Sequence, residues 1–232
     1  MPDRSTPAAR VPAADARTAT ALRGFGPLGI LAILVILAGN FLVAPLSAIL
    51  VLVWVRWSRT SWREIGYVKP ESWVRTVALG VVFGSAFKLA MKIIVMPLLG
   101  ADPINHAYHF LAGNRAALPG MIVTLIVVAG FGEETVFRGY LFERFGKLLG
   151  SSVWAKAITV LITALWFGAL HYSVQGLAGA EQAAIAGVVY GTIFAITGRI
   201  WMLMIAHAAF DLVALAIIYF DAESLFAHLV FR

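Results

Sequence analysis

Long apolar runs separated by short polar stretches follow one another along the chain after residue 24. These runs cover residues 25–57, 74–99, 119–142, 153–172, 182–197 and 200–220. About 20 apolar residues suffice for a helix to cross the hydrocarbon core of a bilayer. The pattern therefore predicts an all-α protein, a polytopic bundle of about 6–8 transmembrane helices that forms a single domain over residues 25–232.

The first apolar run allows two interpretations. As one helix, residues 25–57 would be about 50 Å long, whereas the hydrocarbon core is about 30 Å thick. The run is therefore either one tilted span kinked near Pro45 or a hairpin that turns near Asn40. Basic residues flank both of its ends, and this favours the hairpin. The next stretch, residues 58–73, mixes Trp with Arg and Lys, which is typical of an interfacial segment.

Composition agrees with membrane insertion. The chain is 61% apolar and 13% charged, with a mean hydropathy of +0.87, whereas soluble domains are about 25% charged. We expect an integral protein of a prokaryotic inner or plasma membrane. Cysteine is absent, so disulfides and thiolate chemistry are excluded. The net charge of +6 comes from basic residues beside apolar runs, and nucleic acid is not an expected partner.

The distribution of basic residues predicts an orientation. Cytoplasmic segments of membrane proteins are enriched in Lys and Arg. Residues 1–24, rich in Ala, Pro, Thr and Arg, are interpreted as a disordered cytoplasmic tail. The segments assigned to the inner side hold Arg4, Arg10, Arg17, Arg23, Arg56, Arg59, Arg63, Lys69, Arg75, Arg144, Lys147, Lys156 and Arg199, and the outer segments hold Arg115 and Arg232.

Charged and polar side chains interrupt three of the apolar runs. The groups are Glu133-Glu134-x-x-x-Arg138, Phe167-x-x-x-His171 and His207-x-x-x-Asp211. One acidic side chain at the bilayer centre costs about 3 kcal/mol on insertion scales. Because charges facing lipid would cost far more than charges that meet, we expect these helices to pack around a shared polar cavity.

Helical spacing assigns a geometry to these groups. Glu134 and Arg138 are four residues apart and are predicted to form an ion pair, whereas Glu133 points about 100° away, toward the cavity. Asp211 is four residues after His207 and could hold its imidazole in one tautomer. Lys88 and Lys92 are interpreted as snorkelling or cavity-lining, and the histidines of the outer loop, His106 and His109, as solvated.

A carboxylate and a histidine in a wet pocket can activate water, and a second histidine can stabilise an oxyanion. Together they could hydrolyse an amide without a Ser or Cys nucleophile. Glu133, His171, His207 and Asp211 could also bind Zn²⁺, although the His-Glu-x-x-His signature is missing. The alternative for Glu133, Glu134 and Arg138 is a purely structural ion-pair network.

The three motifs, in this order and on separate apolar runs, resemble those of the CPBP family of CAAX prenyl proteases and bacteriocin-processing enzymes, also called the ABI family. The resemblance covers residues 119–220, the expected catalytic core. It implies an intramembrane endopeptidase with a cavity open to the cytoplasm, in which Glu133 and His171 activate water and His207 and Asp211 hold the oxyanion. Glu134 and Arg138 would support them.

One position departs from the family pattern, because Asp211 stands where the family has Asn. An ionised Asp cannot donate a hydrogen bond to an oxyanion. Asp211 would therefore be protonated, orient His207 or ligate a metal. We expect a glutamate-dependent reaction without a cofactor, with Zn²⁺ as the alternative.

Expected partners are membrane lipids and a peptide or protein substrate that could be lipidated. Two other functions would fit the same residues. One is a non-catalytic immunity or scaffold protein that keeps the site as a polar core, and the other is a small proton-coupled transporter. The departure at Asp211 favours the former, and the lack of an internal repeat weighs against the latter.

Overall fold

The computed structural model describes residues 13–42 and 45–231, and every regular element in these residues is helical. The all-α prediction and the polytopic bundle are confirmed. The helices are α1 (Ala13–Arg23), α2 (Pro27–Leu42), α3 (Leu46–Ser58), α4 (Trp73–Leu98), α5 (Leu118–Leu149), α6 (Val153–Thr197), α7 (Trp201–Tyr219) and α8 (Glu223–Ala227).

Helices α4 to α7 are each long and apolar enough to cross a membrane, and the bent pair α1–α2 provides a fifth candidate span. Many of their large apolar side chains are exposed, including Leu79, Val82, Leu161 and Leu165. Apolar exteriors of this kind face acyl chains, so the protein is an integral membrane protein.

The described residues divide into two compact units, one ending at Ser61 and one beginning at Trp62, within the stretch predicted as a single domain. In the first unit, the run over residues 25–57 contains two helices, α2 and α3. The Ser47 hydroxyl donates a hydrogen bond to the Ile36 carbonyl at 2.5 Å across this pair. Residues 43 and 44 lie outside the described residues.

Helix α1 lies within the stretch predicted as a disordered tail. Five of its eleven residues are alanine, the residue with the highest helix propensity. The Trp54 indole N–H donates to the Leu22 carbonyl at 3.0 Å, which satisfies an acceptor in the last turn of α1. Residues 1–12 of the predicted tail lie outside the described residues.

In the second unit, glycines set the distances between helices. A Cβ at Gly84 would lie 2.0 Å from the Ala206 carbonyl oxygen, so α4 and α7 are in backbone contact. The Gly80-x-x-x-Gly84 spacing is typical of such close helix packing.

Helix α6 reverses direction at Gly176, whose φ of 64° and ψ of −163° lie in a region that only glycine adopts readily. The two limbs pack against each other, because a Cβ at Gly187 would lie 2.7 Å from Ala164 Cα. The apolar runs 153–172 and 182–197 are therefore separate helical limbs, as predicted.

Helix α5 is wider than an α-helix through its polar centre. Its backbone is π-helical over Thr124–Glu133 and Thr135–Tyr140. π-Helical segments are rare in proteins, and those that do occur often lie at functional sites.

The predicted interfacial segment packs against the end of the bundle. Gly66 accepts a hydrogen bond from the Ile200 N–H at 3.0 Å. Tyr67 stacks edge-on against Trp201 and shares a 2.8 Å hydroxyl hydrogen bond with Thr135. Burial raises the pKa of Tyr67 to about 12, so this phenol stays protonated.

Candidate active site

The three motifs meet at one cavity of about 280 Å³. Glu133 reaches it from α5, His171 from the first limb of α6, and His207 and Asp211 from α7. Gly130 allows α5 and α7 to approach closely enough to share the cavity, since a Cβ at this position would lie 2.9 Å from the Met204 carbonyl oxygen.

His207 is held between carboxylates. Its Nδ1–H donates to Glu134 Oε1 at 2.8 Å. Its Nε2 lies 3.7 Å from Glu133 Oε2 and 3.5 Å from Asp211 Oδ2. The sequence predicted that Asp211 would orient this imidazole, whereas the structure has Glu134 in that role, because Nδ1 is turned toward α5.

Glu134 and Arg138 form the predicted ion pair. Arg138 Nη1 donates to the same Glu134 Oε1 at 2.8 Å, and both residues are almost fully buried. The guanidinium also lies over the rings of Phe167 and Tyr190, 5.1 and 5.6 Å from their centroids. Glu134 thus joins Arg138 to His207 in one rigid, charge-assisted network.

His171 is oriented by its own helix. Its Nδ1–H donates to the Phe167 carbonyl at 2.8 Å, one turn earlier. The Phe167 ring packs edge-on against both His171 and His207, with centroid distances of 4.5 and 6.0 Å. A neutral imidazole that donates through Nδ1 keeps Nε2 as an acceptor. His171 can therefore accept a hydrogen bond from water in the cavity.

Residues 115–213 match the family model described as type II CAAX prenyl endopeptidase, Rce1-like. This segment is similar to Rce1-like domains. The resemblance to the CPBP family is confirmed. The matched segment contains all three motifs, from Glu133 to Asp211. No curated protein and no solved structure matches the chain.

The cavity contains polar residues that the sequence did not single out. Tyr108, from the loop before α5, lines it together with Gln175 and Gln182. Burial raises the pKa of Tyr108, so its phenol remains a hydrogen-bond donor. No sequence signal marked these residues, because a loop tyrosine and two glutamines have no motif spacing.

Lys88 lines the same cavity, in agreement with the cavity-lining interpretation. Its Nζ donates to Gln182 Oε1 at 2.9 Å and lies 4.8 Å from the centre of the Phe210 ring. A buried cation thus faces a cavity that also contains the carboxylates of Glu133 and Asp211.

The outer loop is more tightly held than predicted. His109 Nδ1 donates to Glu223 Oε2 at 3.1 Å, although the histidines here were expected to be solvated. Glu223 also accepts from the Asn105 N–H at 2.8 Å and is 1% exposed. The partner of His109 lies 114 residues later in the chain, beyond the reach of a spacing argument. His106 is exposed, as predicted, and pairs with Asp102 at 3.0 Å.

Within the described residues, no group of three or more His, Asp or Glu side chains is arranged to hold a metal ion. The residues named for the zinc alternative, Glu133, His171, His207 and Asp211, line the same cavity.

Proposed function

We propose that this protein is an intramembrane endopeptidase of the CPBP type that hydrolyses peptide bonds with water activated by Glu133 and His171. The observation that carries the proposal is the single cavity lined by Glu133, His171, His207 and Asp211 from three separate helices. The similarity to Rce1-like domains supports proteolysis as the chemistry of this cavity. Substrates would be peptides or protein segments, with or without a lipid chain.

Glu133 is the general base of the proposed reaction. Its carboxylate takes a proton from a water molecule that also donates a hydrogen bond to His171 Nε2. The water oxygen then attacks the carbonyl carbon of the scissile bond. When the tetrahedral intermediate collapses, Glu133 returns the proton to the departing amine nitrogen, so that a carboxylic acid and an amine are released.

His207 stabilises the oxyanion. Surrounded by Glu133, Glu134 and Asp211, its ring carries both protons: Nδ1–H donates to Glu134, and Nε2–H faces the cavity. Removing one such donor commonly costs a factor of about 10²–10³ in rate. Asp211 contributes negative charge that favours this doubly protonated imidazole.

The test is cleavage of a complex peptide mixture by purified protein in lipid, with new termini identified by mass spectrometry. We expect product from the wild type and a loss of at least about 100-fold for Glu133→Gln, because a general base contributes that much or more. Glu71→Gln is the matched control, since the Glu71 side chain is 85% exposed and pairs with Arg199 on the surface. Equal loss in both variants would contradict the proposal.

The same preparation separates the other functions. A scaffold or immunity protein would give no product from any variant, and a proton-coupled transporter would give pH-gradient-driven flux in liposomes instead. The proposed steps use side chains alone. Activity that a chelator abolishes and Zn²⁺ restores would contradict that part of the proposal.

A further inference from the structure

The catalytic cavity continues toward one end of the bundle. A second cavity of about 410 Å³, here called the vestibule, shares Lys88, Asn105, Gln175 and Gln182 with it. The vestibule is also lined by Asp102 and His106, whose side chains are 57% and 75% exposed. It lies where α4 and α7 end, beside the Gly176 turn of α6. A route from solvent to the site therefore exists at this end.

The opposite side of the site is closed. Tyr190 lines the cavity on that side, Glu134 and Arg138 lie beyond it, and none of the three is more than 2% exposed. Ile200 and Leu203, both fully buried, pack there with Phe194. A peptide cannot pass through this core without unfolding it.

Apart from Lys88 and Lys92 of α4, which line the vestibule, and Arg115, the described Lys and Arg residues from Trp62 onward lie at the closed end. Helices α4, α6 and α7 begin there, α5 ends there, and the second limb of α6 returns to it. The Lys and Arg residues of this end, from Trp62 onward, are Arg63, Lys69, Arg75, Arg144, Lys147, Lys156 and Arg199. Among the described residues of the loop 99–117, the turn 172–181 and the tail 220–231, Arg115 is the one Lys or Arg.

We propose that the vestibule opens on the non-cytoplasmic face of the membrane, and that the protein acts on polypeptide segments presented on that face. The positive-inside rule places the basic, closed end in the cytoplasm. The resemblance implied a cavity open to the cytoplasm, and the two expectations conflict because the basic residues and the opening are at opposite ends. The substrate part of this inference rests on the proposed function, whereas the orientation does not.

The absence of cysteine makes the orientation directly measurable. Ser173, Ser224 and Ser151 are exposed, and serine to cysteine changes neither charge nor size appreciably. Ser173 and Ser224 lie at the vestibule end, and Ser151 lies at the basic end between α5 and α6. Each single-cysteine protein is expressed in full length and treated with a membrane-impermeant maleimide, in intact cells and after permeabilisation.

We expect Ser173→Cys and Ser224→Cys to be labelled in intact cells, and Ser151→Cys to be labelled only after permeabilisation. The reverse pattern would overturn the proposal. Labelling of all three in intact cells, or of none, would also contradict it, because both ends would then have the same access. If Ser173→Cys resists the reagent even after permeabilisation, Ser224→Cys alone decides.

A second measurement tests the substrate class. One peptide segment cleaved by the purified protein is fused to a single membrane anchor in each of the two orientations. The proposal predicts cleavage only of the fusion that presents the segment outside the cytoplasm. Cleavage of the cytoplasmic fusion alone overturns it. Cleavage of neither, with the predicted labelling, contradicts the proposed function and leaves the orientation intact.

Discussion

His207 has a carboxylate at each of its ring nitrogens. Glu134 accepts from Nδ1, while Asp211 lies 3.5 Å from Nε2, the nitrogen that faces the cavity. Because Glu134 already fixes the ring, orientation does not depend on Asp211. An Asp in place of the Asn of the CPBP motif therefore changes the charge beside the proposed oxyanion site, whereas the orientation of the His207 imidazole stays the same.

Restoring the family residue tests this view. We predict that Asp211→Asn cleaves peptide within about 10-fold of the wild-type kcat/KM, because the amide can donate to the oxyanion in place of the charge lost beside His207. Asp211→Leu, similar in size and without a polar atom, should lose about 100-fold or more. Equal inactivity of both variants would show that the ionised carboxylate itself is required.

The packing of α5, α6 and α7 brings the polar residues of the three motifs into one cavity, which the residue spacing alone could only suggest. The burial cost of charge in an apolar run was sufficient to predict that α5, α6 and α7 share a polar cavity. The Glu134–Arg138 pair followed from the spacing alone. The Glu134–His207 hydrogen bond did not, since these residues are 73 positions apart and either carboxylate of the pair Glu133-Glu134 could have faced α7.

The local backbone geometry of the helices could not be predicted from the sequence either. Gly176 is one of 21 glycines, and nothing in the pattern marks it as the position where α6 reverses. No residue spacing in the sequence marks the π-helical centre of α5. The hydrogen bond between Glu223 and the Asn105 N–H joins residues 118 positions apart, too far for a spacing argument. Helix α1 covers residues 13–23, which composition alone had predicted to be disordered.

The reversal of α6 gives a prediction at the scale of the element. At Gly176 a Cβ would meet nothing within 4 Å, so Gly176→Ala tests backbone strain alone. We predict a loss of about 1–3 kcal/mol in unfolding free energy, seen as a lower Tm in detergent.

Gly146→Ala is the matched control for this substitution. A Cβ at Gly146 would also meet nothing within 4 Å, but this residue lies inside the regular helical part of α5. Alanine should raise the stability there by about 0.5–1 kcal/mol. A Gly176→Ala protein as stable as the wild type would mean that the two limbs do not need this conformation.

The second unit of the molecule, from Trp62 onward, has an apolar exterior and a polar centre. Exposed leucines and valines cover α4 and α6, while Glu134 and Arg138 are among its most buried side chains. In lipid, this arrangement isolates the charged groups from the acyl chains. We propose that the peptide substrate reaches them through the vestibule.

The central claim is that residues of separate helices act on one peptide bond. It is tested most directly by the rate of product formation by purified Glu133→Gln and His171→Ala proteins, compared with the wild type at equal amounts of folded protein. The account predicts that each substitution, on a different helix, lowers the rate by at least about 100-fold while the Tm stays near that of the wild type. Cleavage at the wild-type rate by either variant would contradict it.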